Sequence, residues 1–177
     1  MRNFLKIADN VDVTPILHAL AVNSDLWDEH TLRTRHPNTA HAAVHDIWLM
    51  FNDPTGSVVN DIQVVPYRAW DALKPLRGLI LELMRKVDGV QLGRCIVTKL
   101  PVGDTITPHT DMGAPATFYT RYQIALQSLP GALFHIGEET VNFRTGDIWL
   151  INNREEHSVV NNSCDDRIVC IVDIRSA

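Results

Sequence analysis

Apolar and polar residues change their rhythm once along this chain, near residue 89. Before it, the clearest pattern is helical. Leu76, Leu79, Ile80, Leu83, Met84 and Val87 recur at i, i+3, i+4, i+7, i+8 and i+11, one continuous apolar face. This predicts a helix over about 75–88, with Pro75 in its first turn, Arg85 and Lys86 near its C-terminus and Gly89 ending it. A shorter helix is predicted over 13–22, with Thr14 as its cap, and a helical turn over 67–73. His45 to Phe51 reads as a strand, Asn52 to Gly56 as a turn, and Val58 to Val65 as a further extended piece. Residues 25–44 carry no strong period and read as a long loop with room for a helical turn, a candidate for facing a substrate.

After Gly89, short β-rich runs follow one another at 94–100, 105–109, 119–128, 132–136, 139–143, 147–152, 157–161 and 167–174. Turn residues separate them, among them Gly103-Asp104, Pro130-Gly131 and Asn161-Asn162. Helices first and a run of strands after them predict an α+β, mainly β chain. Its core is expected to be a jelly roll, a cupin-like double-stranded β-helix with the helices packed outside.

Composition narrows the classes. With 177 residues and 45% hydrophobic content, one domain with a full core is expected. A net charge of −5 argues against a nucleic-acid partner, which calls for a basic surface. No apolar run approaches the ~20 residues that cross a bilayer, so no membrane association is expected. Cys95, Cys164 and Cys170 form no C-x-x-C, and two of them sit in apolar runs. They read as reduced residues, which fits the cytoplasm.

Histidine is abundant at eight residues, too many for all to be ligands. Two stand out. In an extended strand alternate side chains share a face, so His109 and Asp111 point the same way in Pro108-His109-Thr110-Asp111. His157, from a distant strand, completes a facial triad of two histidines and one carboxylate. Such a set suits Fe(II) in oxygenases, because it leaves three coordination positions open. Taken alone, His109-x-Asp111 also reads as a turn or a hydrogen-bonded pair, and His157 as structural.

Two arginines change the balance. Arg167 opens the apolar strand Ile168-Val169-Cys170-Ile171-Val172, where a charge needs a partner. Arginine suits two-pronged capture of a carboxylate; the alternative is a rim salt bridge to Asp165 or Asp166. In Arg121-Tyr122-Gln123-Ile124-Ala125-Leu126, alternation puts Arg121, Gln123 and Ala125 on one face. That face is either the wall of a ligand cavity or a polar exterior.

Three segments resemble the closing block of the aspartyl/asparaginyl β-hydroxylase family, which is grouped with some proline hydroxylases among the 2-oxoglutarate oxygenases. They are Gly146-Asp147-Ile148-Trp149-Leu150, Glu156-His157-Ser158-Val159, and Asp166-Arg167 with the strand through Asp173-Ile174. The resemblance is strong over 94–174 and loose before it. It implies one Fe(II)/2-oxoglutarate oxygenase domain over 1–177, with 1–93 as helical and loop support plus first strands and 94–177 as the jelly-roll core. It implies Fe(II) on His109, Asp111 and His157, with 2-oxoglutarate and O2 as cosubstrates. Arg167 would hold the far carboxylate of 2-oxoglutarate, aided by Thr98 and by Arg121, whose spacing from His109 is longer than in the family. Asp111 matches the full triad of most bacterial relatives; animal members have a small residue there.

The implied reaction hydroxylates an unactivated C–H of an aspartyl or asparaginyl residue, or of a free amino acid such as proline, and releases succinate and CO2. The expected partner is thus a small molecule or a peptide. Arg35 and His36 in the long loop are the candidates for holding it, ahead of His41. Two other readings stay open: a non-catalytic metal-binding cupin module, and a cupin enzyme that needs no 2-oxoglutarate.

Overall fold

The computed structural model describes residues 3–177. Two antiparallel sheets face each other, and helices cover the outer face of the larger one. The larger has seven strands in the order β1-β9-β6-β11-β4-β2-β3, and the smaller has four in the order β5-β10-β7-β8. In chain order β1 is Phe4–Ala8, β2 His45–Phe51, β3 Val65–Pro66, β4 Gly89–Leu100, β5 Thr105–His109 and β6 Thr120–Gln127. Then come β7 Ala132–Ile136, β8 Glu139–Val141, β9 Ile148–Ile151, β10 His157–Asn161 and β11 Arg167–Ser176. The helices are α1 Thr14–Val22, α2 Leu32–Arg35, α3 Arg68–Ala72, α4 Lys74–Lys86 and α5 Ala114–Phe118. This is the mainly β, double-stranded β-helix architecture that the strand pattern predicts.

Strand alternation sorts the large sheet into two faces. Outward residues of β11, including Cys170, Val172 and Ile174, join Tyr122, Ile124 and Leu126 of β6 in one buried cluster. Ile16 and Leu20 of α1 and Leu76, Ile80 and Leu83 of α4 close that cluster from outside. The inward face packs Ala125 and Ile151 against Ile106, Phe134, Ile136 and Val159 of the small sheet. β6 and β9 thus serve two cores, and Ile106, Phe134, Ile151 and Val159 of the inner one also line a cavity.

Several local readings change. α1 is capped by Val13, not Thr14; the Thr14 amide donates to Asp12 Oδ1 at 3.0 Å instead. α4 ends at Lys86, and Asp88, not Gly89, takes the left-handed turn (φ 51°). Gly89 already belongs to β4, where a Cβ would come within 2.7 Å of the Ile174 side chain. The extended piece expected over 58–65 is a series of turns with only Val65–Pro66 in the sheet. Short polar side chains capture its amides: Asp53 takes that of Thr55, Ser57 that of Asn60 and Asp61 that of Gln63. The first strand, β1, went unpredicted. It pairs with β9 and drops Phe4 edge-on against Phe134, centroids 5.5 Å apart.

Candidate active site

The register of β10 and β5 places His157 directly opposite His109. Their rings lie 4.3 Å apart. β5 stops at His109, so Asp111 lies just beyond the strand, with its amide donating to the Asn153 carbonyl at 3.2 Å. Gly113 turns the chain away next, at φ +89°, where a Cβ would come within 2.5 Å of the Val59 carbonyl. The result preserves the convergence expected of the motif. Ligand atoms of His109, Asp111 and His157 all lie within 4.8 Å of one another.

Hydrogen bonds fix which nitrogens are free. His109 Nδ1 lies 2.8 Å from the Thr107 carbonyl, and His157 Nδ1 lies 2.9 Å from the Glu155 carbonyl. A carbonyl has no proton to give, so each Nδ1 is the donor and each Nε2 keeps its lone pair. His109 Nε2 is buried with no hydrogen-bond partner among the described residues. An orphaned buried acceptor beside a carboxylate, Asp111 Oδ1 being 3.7 Å away, is what an ion at this point would satisfy. The donor set of two imidazoles and one carboxylate fits Fe(II).

Electrostatics keep the ligands in metal-binding form. Burial alone would raise the Asp111 carboxyl, but Arg121, the Asn153 amide and the two imidazoles outweigh it and hold it well below the usual carboxylate range. Burial pushes His157 down, against the opposing pull of Asp111. His41 stands edge-on to His109 at 4.7 Å, and burial, with Arg33 and His109, pushes it down to about 2.

Arg121 and Arg167 take different places. Arg121 is fully engaged: Nε and Nη2 donate to the two oxygens of Asp173 at 2.8 and 2.9 Å, and Nη1 donates to Asp111. It therefore grips a triad residue rather than offering a free edge to a cosubstrate. Burial would lower Arg121, and the two carboxylates more than reverse this. Arg167 is only 2% exposed, which excludes the rim salt bridge. Its single side-chain hydrogen bond among the described residues is Nη2 to Gln123 Oε1 at 3.2 Å, and burial pushes it down to about 10. Such a guanidinium lacks its natural partner. Arg167, Gln123, Arg121, Thr98 and the triad all line one cavity, so the inward face of β6 is a cavity wall.

Thr98 is buried, donates to Asp46 Oδ1 at 2.9 Å and accepts from Arg33 Nη2 at 2.8 Å. The loop candidates sit apart from the cavity. Arg35 and His36 are exposed and stay outside the cavity; Arg33 and His41 line it. The short helix α2 is the reason, because residues two apart on a helix face opposite ways. Sequence reasoning also passed over Arg94, which lines the cavity. Alternation from Thr98 back through Ile96 would have found it.

A sequence model of aspartyl/asparaginyl β-hydroxylases matches residues 71–177. The chain belongs to this family. It is a hydroxylase of the Fe(II)/2-oxoglutarate-dependent dioxygenase class. Among solved structures, a prolyl hydroxylase from Trichoplax adhaerens, in complex with a peptide fragment of the hypoxia inducible factor oxygen degradation domain, superposes with a TM-score of 0.62. It is 14% identical, over 97% of this chain and 83% of its own. An oxidoreductase of the 2OG-Fe(II) oxygenase family from Burkholderia pseudomallei gives 0.60 at 13% identity, over 99% and 89%. The viral collagen prolyl hydroxylase of Paramecium Bursaria Chlorella virus-1 gives 0.56 at 11% identity, over 99% and 97%. At these identities the likeness of this β-hydroxylase family member to all three is one of fold. No curated protein sequence matches it significantly.

Proposed function

We propose that this chain hydroxylates an unactivated C–H bond of an amino-acid-type substrate, either an aspartyl or asparaginyl residue or a free amino acid such as proline. Fe(II) bound here supplies dioxygen activation, coupled to decarboxylation of 2-oxoglutarate to succinate and CO2. His109, Asp111 and His157 would hold the ion through two Nε2 atoms and a carboxylate. His157 is neutral and Asp111 ionised near neutral pH, so neither has to lose a proton before the metal enters.

One observation carries the reading. Arg167 is a buried guanidinium with no carboxylate partner among the described residues, and it shares its cavity with the three converging ligand atoms. The distal carboxylate of 2-oxoglutarate supplies that partner. Gln123 steadies Arg167, and Thr98 lines the cosubstrate's path. Arg121 serves Asp111. Ile96, Phe134, Val159 and Ile171 make the remaining wall apolar, which keeps water from the reacting atoms.

The proposed acting unit is one domain over 1–177, and the proposed compartment is the cytoplasm, supported by three free cysteines, two of them buried. No helix among the described residues is long and apolar enough to cross a membrane. The substrate is a small molecule or a peptide.

The deciding experiment is anaerobic addition of 2-oxoglutarate to the Fe(II)-loaded protein. A visible metal-to-ligand band is expected, and Arg167→Ala weakens it. A succinate-release screen over free amino acids and peptides then identifies the substrate. A cupin enzyme that needs no 2-oxoglutarate, or a non-catalytic cupin, gives neither band nor succinate.

A further inference from the structure

The charges around the cavity do not balance. Arg33 is paired with Asp46, and Arg121 with Asp173 and Asp111. Arg167 and Arg94 line the same cavity, and neither has a carboxylate partner among the described residues. If 2-oxoglutarate satisfies Arg167, Arg94 is left over.

The two arginines sit at different levels of one inward face. Along β11 the inward positions run Arg167, Val169, Ile171 and Asp173. Arg167 pairs with Leu100 of β4, whereas Cys95, next to Arg94, pairs with Val172. From Arg167 to Asp173 a strand advances roughly 20 Å. Arg94 belongs to the Asp173 level: on β4 it lies between Leu92, which pairs with Ile174, and Cys95, which pairs with Val172. A 2-oxoglutarate anchored at Arg167 is far shorter than this face. The anion that Arg94 lacks is a different one.

Arg94 is also held ready. Its Nε donates to Asn52 Oδ1 at 2.8 Å, and its Nη2 to the same oxygen and to the Val58 carbonyl. The Phe51 ring lies 4.5 Å from its guanidinium carbon. These partners are neutral, so they orient the charge without cancelling it. The Nη1 group donates to none of the described residues' atoms. Beside Asp111, Met112 is 84% exposed and lines the cavity together with Pro115 and Ala116, an apolar lip at its mouth.

We propose that Arg94 is the substrate's anion anchor, so that the enzyme selects a substrate bearing a carboxylate over the corresponding carboxamide. The inference rests on the oxygenase reading above and narrows it. An aspartyl side chain or a free amino acid fits; an asparaginyl residue in a blocked peptide does not. Arginine captures a carboxylate through charge and paired N–H groups, and a carboxamide supplies neither the charge nor two acceptors.

The test uses the anaerobic Fe(II)–2-oxoglutarate complex of the full chain, with probe binding followed by the change in the visible band. The probes are L-proline against L-prolinamide, and a terminally blocked aspartyl peptide against its asparaginyl twin. In the wild type at least one acid is expected to bind about tenfold or more tightly than its amide. Arg94→Gln should abolish that preference, and Arg94→Lys should keep part of it; the band itself reports folding in each variant. A merely structural Arg94 would leave the acid-to-amide ratio unchanged. If no acid outbinds its amide in the wild type, or if the preference survives in Arg94→Gln, the proposal is overturned. Absence of the band in the wild type overturns the oxygenase reading itself, and the inference with it.

Discussion

Asp173 stands directly across from Arg121 in the register of β11 and β6, and the two side chains form a two-pronged ion pair. The third edge of Arg121 reaches Asp111. A carboxylate on the closing strand therefore positions the proposed metal ligand Asp111, which lies on a loop. Asp173→Asn should lower affinity for Fe(II), or for Mn(II) as a redox-inert probe, by about 10- to 100-fold. Calorimetric titration of the folded variant checks this. Unchanged metal affinity would show that Arg121 needs no help from Asp173 to hold Asp111.

Arg167 sets stability against function. Without cosubstrate it is a buried charge with one neutral hydrogen-bond partner. A buried charge without a counter-charge is costly to keep dry, and an apolar side chain of similar length avoids that cost. Arg167→Met should therefore melt at or above the wild-type temperature in the absence of 2-oxoglutarate, yet gain nothing when it is added. The wild type should gain about 2.7 kcal/mol at a hundredfold excess of 2-oxoglutarate over its Kd. Paired thermal melts with and without the diacid read both effects. A variant that 2-oxoglutarate still stabilises would place the cosubstrate elsewhere.

The β-rich half of the chain was legible because its strands alternate and its turns carry glycine, proline and asparagine. Three strands, 105–109, 132–136 and 157–161, fall at their expected bounds. His109 and His157 converge because the register of β5 and β10 sets them opposite each other, and the loop that follows β5 brings Asp111 to them, a step that strand alternation did not foresee. The N-terminal half was harder. β1 is only five residues long and gains its stability from pairing with β9, a contact that no local pattern announces. The 53–64 stretch has strand-like valines, but its Asp and Ser side chains divert the backbone into turns.

The same limit explains the loop arginines and gives a sharp contrast. Arg33 donates to both oxygens of Asp46 at 2.9 and 3.0 Å, and the Asp46 side chain has no exposure. Removing the arginine strands a buried carboxylate, so Arg33→Ala should cost about 3–5 kcal/mol. Arg35 is exposed, and Arg35→Ala should stay within about 0.5 kcal/mol of the wild type. Chemical denaturation of the two variants side by side makes the comparison. Equal losses would mean that α2 does not present Arg33 inward.

The last prediction concerns pH. Lys6 of β1 donates to Asp147 Oδ1 at 2.9 Å, and Asp147 Oδ2 accepts from the Arg144 amide at 3.0 Å and the Trp149 indole at 3.1 Å. Burial would raise this carboxyl, but these donors outweigh it and hold it below its ordinary value. A depressed carboxyl stabilises the fold only while ionised. Its contribution is therefore fully present above the unfolded value of about 4 and disappears as pH falls through the lower folded value. Asp147→Asn keeps the side chain's size but lacks the charge. At pH 7 it should melt below the wild type, because hydrogen bonds to a charged group contribute about 1.5–3 kcal/mol each in favourable cases. As pH falls through the folded value the two melting curves should converge, since the wild-type carboxyl is then taking up the proton that removes its advantage. A gap that stays constant down the whole acid limb, until the fold itself is lost, would mean that the packing of Trp149, and not the ionised carboxylate, ties β1 to β9.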